Sequence, residues 1–137
     1  MKVRDLNGNI IHWKIKGDIV AASDKRQSRS SFHKRARSIL YDLFPTSQIL
    51  EEVPINARPG RTQYLDFYIN QIKLAVEVHG QQHFKFNTMF HASAQDFLNQ
   101  KRNDADKKNW CELNNITYIE LAYNEKETEW IAKIQSR

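Results

Sequence analysis

The stretch from Tyr64 to His79 constrains the fold more than any other. Two apolar, strand-forming runs, Tyr64–Ile69 and Ile72–His79, are separated only by Asn70 and Gln71. That pattern predicts a tight hairpin. With Asn70 and Gln71 as the loop, Ile69 faces Ile72, Asp66 faces Ala75 and Tyr64 faces Glu77. Strand side chains alternate between faces, so Asp66, Glu77 and His79 share one side. Asp66 and Glu77 then become diagonal neighbours about 7–8 Å apart. Leu65, Phe67, Leu74, Val76 and Val78 fill the other side, which reads as core. A slip of one residue would carry Asp66 to the wrong face.

The flanking segments complete a mixed architecture. Asn7-Gly8 between apolar residues predicts an N-terminal β-hairpin over residues 1–22. Residues 23–31 are polar and basic and read as a linker or arm. Phe32, Ala36, Ile39, Leu40 and Leu43 recur at helical spacing, with Ser30 or Ser31 as cap and Pro45 as stop. A first strand follows at Ile49–Val53, then a basic turn at Arg58–Arg61. Residues 80–93 read as an irregular, aromatic and histidine-rich connection. A helix, or two short ones, is predicted over 94–113, a fourth strand over Ile116–Leu121, and a closing helix on Trp130, Ile131 and Ile134. The core order is therefore α-β-β-β-α-β-α, an α/β (α+β) fold with a small mixed central sheet flanked by helices, over residues 32–137.

Two carboxylates beside an imidazole on one sheet face are costly, because the like charges repel and their desolvation must be compensated by a cation or a base. A divalent ion is the simple remedy, and Mg²⁺ favours a few carboxylates together with phosphate oxygens. A solvated polar stripe is the plain alternative. On the next helix Phe97, Asp104 and Cys111 are spaced by seven, so one face carries Asp104 toward the sheet, with Lys107 and Lys108 beside it. A surface Asp104–Lys108 pair is the competing reading. His79, His83, His91 and Cys111 do not follow a recognised zinc spacing, and no zinc is expected. His12 has no evident partner.

The net charge of +5 suggests a polyanionic partner. Cys111 is the single cysteine, so an intramolecular disulfide is excluded and a reducing compartment fits. No apolar run approaches the ~20 residues needed to span a bilayer. With no signal-peptide pattern at Met1–Asp5, the cytoplasm is the expected location and no membrane partner is expected.

Leu65-Asp66-Phe67-Tyr68-Ile69, Leu74 through His83, Asp104-Ala105-Asp106-Lys107-Lys108 and Asn115-Ile116-Thr117-Tyr118-Ile119 together carry a family resemblance. Over residues 30 to 122 the chain resembles the very-short-patch repair branch of the PD-(D/E)XK (restriction-endonuclease-like) nucleases. That branch includes the homing endonucleases with an EDxHD signature and has phage members. The resemblance implies an Mg²⁺-dependent DNA endonuclease, with Mn²⁺ as a substitute ion. It makes Asp66 a metal ligand and Glu77 a ligand or supporting carboxylate, with the Val78 carbonyl facing the ion. It makes His79 the base or water-positioner, gives His83 a role at the scissile phosphate, and lets Asp104 orient a histidine.

Two departures stand out. The first helix offers His33 where the branch has a glutamate, so Glu52 is the substitute carboxylate to test, with His33 in support. The zinc-binding set of the repair enzymes is missing, so mismatch-specific repair is not the expectation. Phosphate contacts are expected from Arg26, Arg29, Lys34, Arg35, Arg37, Arg58, Arg61, Lys101, Arg102 and Lys107, and they should be salt-sensitive. A double-strand cutter would need two copies, which makes a homodimer an option. A DNA-binding module of the same fold without catalysis is the main alternative, and a protein-interaction domain the other.

Overall fold

In the computed structural model, residues 1–22, 30–89 and 91–137 are described. The expected linker falls largely on 23–29, with Arg26 and Arg29, and lies outside the described residues. Strands β1 (Lys2–Arg4) and β2 (Ile10–His12) form the N-terminal hairpin. Helix α1 (Ser31–Leu43) leads into β3 (Leu50–Arg58), β4 (Arg61–Ile69) and β5 (Leu74–His79). One continuous helix, α2 (Ala94–Leu113), crosses to β6 (Thr117–Ala122), and α3 (Glu127–Gln135) closes the chain. The protein is mixed α+β, and the order of its core elements is the expected one. The sheet runs β3-β4-β5-β6, antiparallel except for the parallel β5–β6 pair.

Helices cover both faces of the sheet. On one side Ala36, Ile39 and Leu40 of α1 and Trp130 and Ile134 of α3 bury against Phe67, Ile69, Leu74 and Val76. On the other, Trp110 and Cys111 of α2 and Val3 and Trp13 of the hairpin segment bury against Val53, Leu65, Tyr68 and Ala75. Trp13 sits edge-on to Trp110 at 5.0 Å and donates from Nε1 to the Pro54 carbonyl at 3.0 Å. The N-terminal segment is thus part of the core rather than an appendage. Ser30 caps α1 by accepting from the His33 amide, which satisfies one of the helix's otherwise orphaned donors.

The β4–β5 register differs from the sequence expectation. Ile69 pairs with Leu74, Tyr68 with Ala75 and Phe67 with Val76. The connection is a single 3-10 turn, Asn70–Ile72, closed by Lys73 at φ 48°. A polar pair without glycine cannot readily make the two-residue turn, which needs positive φ at its centre. The two extra residues shift the register by two, so Asp66 stays on the face of Glu77 and moves level with it.

Alternation also fails beside Asp66. Leu65 packs with Tyr68, three residues on, while Phe67 joins the opposite core. The core assignment of Leu65 and Phe67 to one face is therefore incorrect. Its neighbour β3 does the same: Leu50 and Val53 share a face, and Glu52 between them takes φ 53°. Both strands step out of the regular pleat at one level.

Candidate active site at the splayed strands

The step opens the sheet where the acidic residues lie. The β4–β5 pairing stops at Phe67–Val76. Beyond it, side chains replace backbone carbonyls as acceptors. The Asp66 amide donates to Glu77 Oε2 at 2.7 Å, and the Val78 amide donates to Asp66 Oδ2 at 2.8 Å. Each carboxylate thus holds the other's strand, which locks both in place without a regular ladder. A cavity of about 300 Å³ faces this clasp, lined by Ser30, His33, Asp66, Glu77, Val78, His79, Gln82, His83 and Lys107.

The electrostatics show the strain that the sequence implied. Burial and the neighbouring Glu77 raise the Asp66 carboxyl to about 7. Glu77 is 1% exposed and receives Lys107 Nζ at 2.7 Å. Lys107 was expected at phosphate, but its charge is committed to this carboxylate. Although burial opposes it, Glu77 keeps the Lys107 ammonium above its ordinary value.

The histidines form a second group. The His79 and His83 rings stack in parallel, 1° apart with centroids at 4.2 Å. Burial, then the nearby His83, lower His79 to about 4. Its Nε2 is buried without a hydrogen-bond partner, and its Nδ1 lies 3.8 Å from Glu120. Asp104 bonds His83 Nδ1 at 2.8 Å, so α2 does bring that carboxylate to the sheet. The surface Asp104–Lys108 alternative gives way to this contact.

His79, His83 and Asp104 have ligating atoms within 4.8 Å of one another. Geometry argues against an ion held by all three. A ring nitrogen's lone pair lies in its ring plane, and two parallel stacked planes never meet at one ion. The wider histidine–cysteine set disperses further. His91 bonds Gln100 at 2.8 Å, and burial pushes the Cys111 thiol up.

Several sequence assignments need correction. Arg37 is 3% exposed, and its guanidinium grips Glu51 at 2.6 and 2.8 Å. It is a core ion pair, not a phosphate contact. Arg58 spans Asp106 at 3.0 and 3.1 Å, so its charge is also engaged. The carboxylate that α1 meets is Glu51, not Glu52. His33 Nε2 lies 2.7 Å from Glu51 Oε1, and Glu51 is fully buried. Glu52 instead lines a different cavity beside Trp13 and Tyr64. The step at Glu52 reverses which acidic residue turns toward α1. The missed signal was on the helix: His33 and Arg37 are spaced by four on a face otherwise apolar, which calls for a carboxylate opposite.

Other basic residues remain at the surface. Lys101 and Arg102 are exposed on α2, with Lys101 Nζ 5.3 Å from the Phe84 ring. Arg61 is exposed and bonds Asn103. Lys34 is half-buried, and Arg35 lies over the Trp130 ring at 4.7 Å.

The opposed shifts of Asp66 and His79 predict a pH signature in metal-free protein. Folded Asp66 keeps a proton that the unfolded chain releases near 3.8, so its contribution to stability falls from pH 4 to 7. Folded His79 lacks a proton that the unfolded chain binds below 6.5, so its contribution rises from pH 4 to 6.5. The two offset each other in the wild type. Urea unfolding of Asp66→Asn in EDTA should show stability rising over that range, and His79→Gln should show it falling. Parallel curves for the two variants would refute the shifts.

No family model matches the chain, and no solved structure matches it. Curated relatives come from viruses. The chain is 41% identical over 63 residues to uncharacterized protein 307L of Invertebrate iridescent virus 6, covering 46% of this chain and 32% of that protein. It is 34% identical over 76 residues to uncharacterized protein 094L of Frog virus 3, covering 55% and 49%. It is 34% identical over 71 residues to uncharacterized protein 033L of Invertebrate iridescent virus 3, covering 52% and 37%. The chain thus spans about a third to a half of the length of these relatives. No helix among the described residues is long and apolar enough to cross a membrane.

Proposed function

We propose that this chain is a divalent-metal-dependent DNA endonuclease with a restriction-endonuclease-like core. The observation that carries the reading is the reciprocal clasp of Asp66 and Glu77 across two splayed strands, open to a cavity that also holds imidazoles and an ammonium. The resemblance of residues 30 to 122 to PD-(D/E)XK nucleases and the α-β-β-β-α-β-α order support it. The net charge of +5 suits a polyanionic substrate.

The donor set fits Mg²⁺ or Mn²⁺. Asp66 spends only Oδ2 on the Val78 amide, and its raised proton affinity marks a site where a cation would replace a proton. Asp66, the Val78 carbonyl and Glu77 would hold the ion, with Glu77 shared with Lys107. Such an ion supplies Lewis acidity at the phosphate and lowers the pKa of water. The chain's own groups do the rest. Asp104 fixes the His83 ring through Nδ1, and Nε2, which the Gln100 amide approaches at 3.3 Å, would exchange that contact for the attacking water and accept its proton. Buried, neutral His79 packs that ring in place, and its Nε2, buried without a hydrogen-bond partner, would gain one if the site admitted a water or a phosphate oxygen. Lys107 holds the Glu77 carboxylate in place through its 2.7 Å ion pair, and its loss would leave that buried carboxylate uncompensated.

Supercoiled plasmid incubated with wild-type protein and Mg²⁺ or Mn²⁺ should be nicked or linearised, and EDTA should stop the reaction. Intact plasmid under both ions would refute the reading. Two cations on α2 should then separate by role. Lys107→Met should slow cleavage about 100-fold with an unchanged salt slope of DNA binding. Arg102→Ala should lower that slope by about one and leave cleavage of bound DNA unchanged. Anisotropy titrations at several salt concentrations, paired with single-turnover rates, read both.

A further inference from the structure

From the placement of His33 we infer that it is a second proton-transfer residue, the general acid that protonates the leaving oxygen of the cleaved phosphodiester. The inference rests on the nuclease reading and deepens it.

His33 and His83 line the same cavity, and each is tied to its own carboxylate. His83 bonds Asp104 at 2.8 Å, both on the α2 side of the sheet. His33 bonds Glu51 at 2.7 Å, on the α1 side, and stacks on Phe67 with centroids 4.4 Å apart. One imidazole–carboxylate pair therefore comes from each layer, and they meet at the opening where Asp66 and Glu77 lie. In-line displacement at phosphorus puts the entering and leaving oxygens at opposite apices. A pair of proton-transfer groups on opposite sides of the phosphate matches that geometry.

Glu51 is built to hold a ring in one orientation. Burial alone would raise its carboxyl, but the hydrogen bonds from Arg37 and His33 hold it at about 2, so it stays an anion that accepts from His33 Nε2. That leaves Nδ1 as the second donor of the protonated ring. In the step itself, the water oxygen forms its bond to phosphorus while His83 Nε2 takes the water proton. The bond from phosphorus to the bridging oxygen breaks, and that oxygen takes the Nδ1 proton of His33. Solvent then returns a proton to His33 and removes one from His83.

The test is leaving-group rescue. Oligonucleotide duplexes carry sulfur at the bridging position that leaves, 3′ or 5′ as the product ends of wild-type cleavage dictate. A thiolate needs no proton to depart. His33→Gln should slow cleavage of the all-oxygen substrate about 100-fold, yet cleave the sulfur substrate within threefold of wild type. Glu51→Gln should show the same pattern in weaker form. His83→Gln should be slow on both substrates, because the attacking water still needs a base. Circular dichroism and thermal melts identify the folded variants. Should His33→Gln misfold, Glu51→Gln carries the comparison. Equal losses on both substrates would make His33 a structural residue and overturn the inference, as would full activity on the oxygen substrate. If wild type cleaves neither substrate with either ion, the nuclease reading fails first and this role falls with it.

Discussion

Asp66→Ala is expected to slow plasmid cleavage by at least about 1,000-fold, equivalent to ~4 kcal/mol of transition-state stabilisation, with DNA affinity nearly unchanged. Asp66 gives Oδ2 to the Val78 amide, whereas both Glu77 oxygens are engaged, one by the Asp66 amide and one by Lys107. Asp66 supplies little net attraction for phosphate, so binding should survive its loss. Single-turnover cleavage in Mg²⁺ and anisotropy in EDTA measure the two separately. The control is Glu52→Gln, which changes a carboxylate in a different cavity and should leave the rate at wild type. A variant lacking Asp66 that cleaves at full rate would remove the metal site from this position.

The second large effect concerns folding. Arg37→Ala should destabilise the protein by about 3–5 kcal/mol, because it leaves the Glu51 carboxylate buried with its main partner gone. For a chain of this size that lowers the melting temperature by roughly 10–17 °C. The loss should ease at low pH. The wild-type Glu51, held at about 2 by its partners, contributes stability above its ordinary value that fades as pH falls toward 2. The variant lacks most of that contribution, so the two unfolding curves should converge in acid. A change below about 1 kcal/mol, the range of exposed ion pairs, would mean that Arg37 is not the residue neutralising Glu51.

Much of the fold was legible because burial imposes periods that can be read without coordinates. The order of elements follows from helical spacing in α1, α2 and α3 and apolar runs in the strands. The shared face of Asp66 and Glu77 was also legible, since the true register differs from the expected one by two and leaves parity intact. What escaped were local departures from periodicity. Nothing in Leu50 to Val53 announces that Glu52 adopts a positive φ, yet that one step hands Glu51 to α1 and turns Glu52 away. Charge was misread for a related reason. Arg37, Arg58 and Lys107 count equally with Lys101 and Arg102 in a net total, but three of them are neutralised by Glu51, Asp106 and Glu77. Only the packing separates a cation facing solvent from one consumed inside.

The N-terminal segment reaches this site from far away in the chain. Asp18 and Glu51 exchange backbone hydrogen bonds at 2.8 and 2.9 Å, and a Cβ on Gly17 would come within 2.8 Å of the Glu51 carbonyl. The first twenty residues therefore clamp the main chain of the same glutamate whose side chain grips Arg37 and His33. A shortened protein beginning at α1 would not be a minimal form of the candidate site. It would expose the outer rim of β3 to pairing with other chains, and self-association would accompany the loss of site geometry.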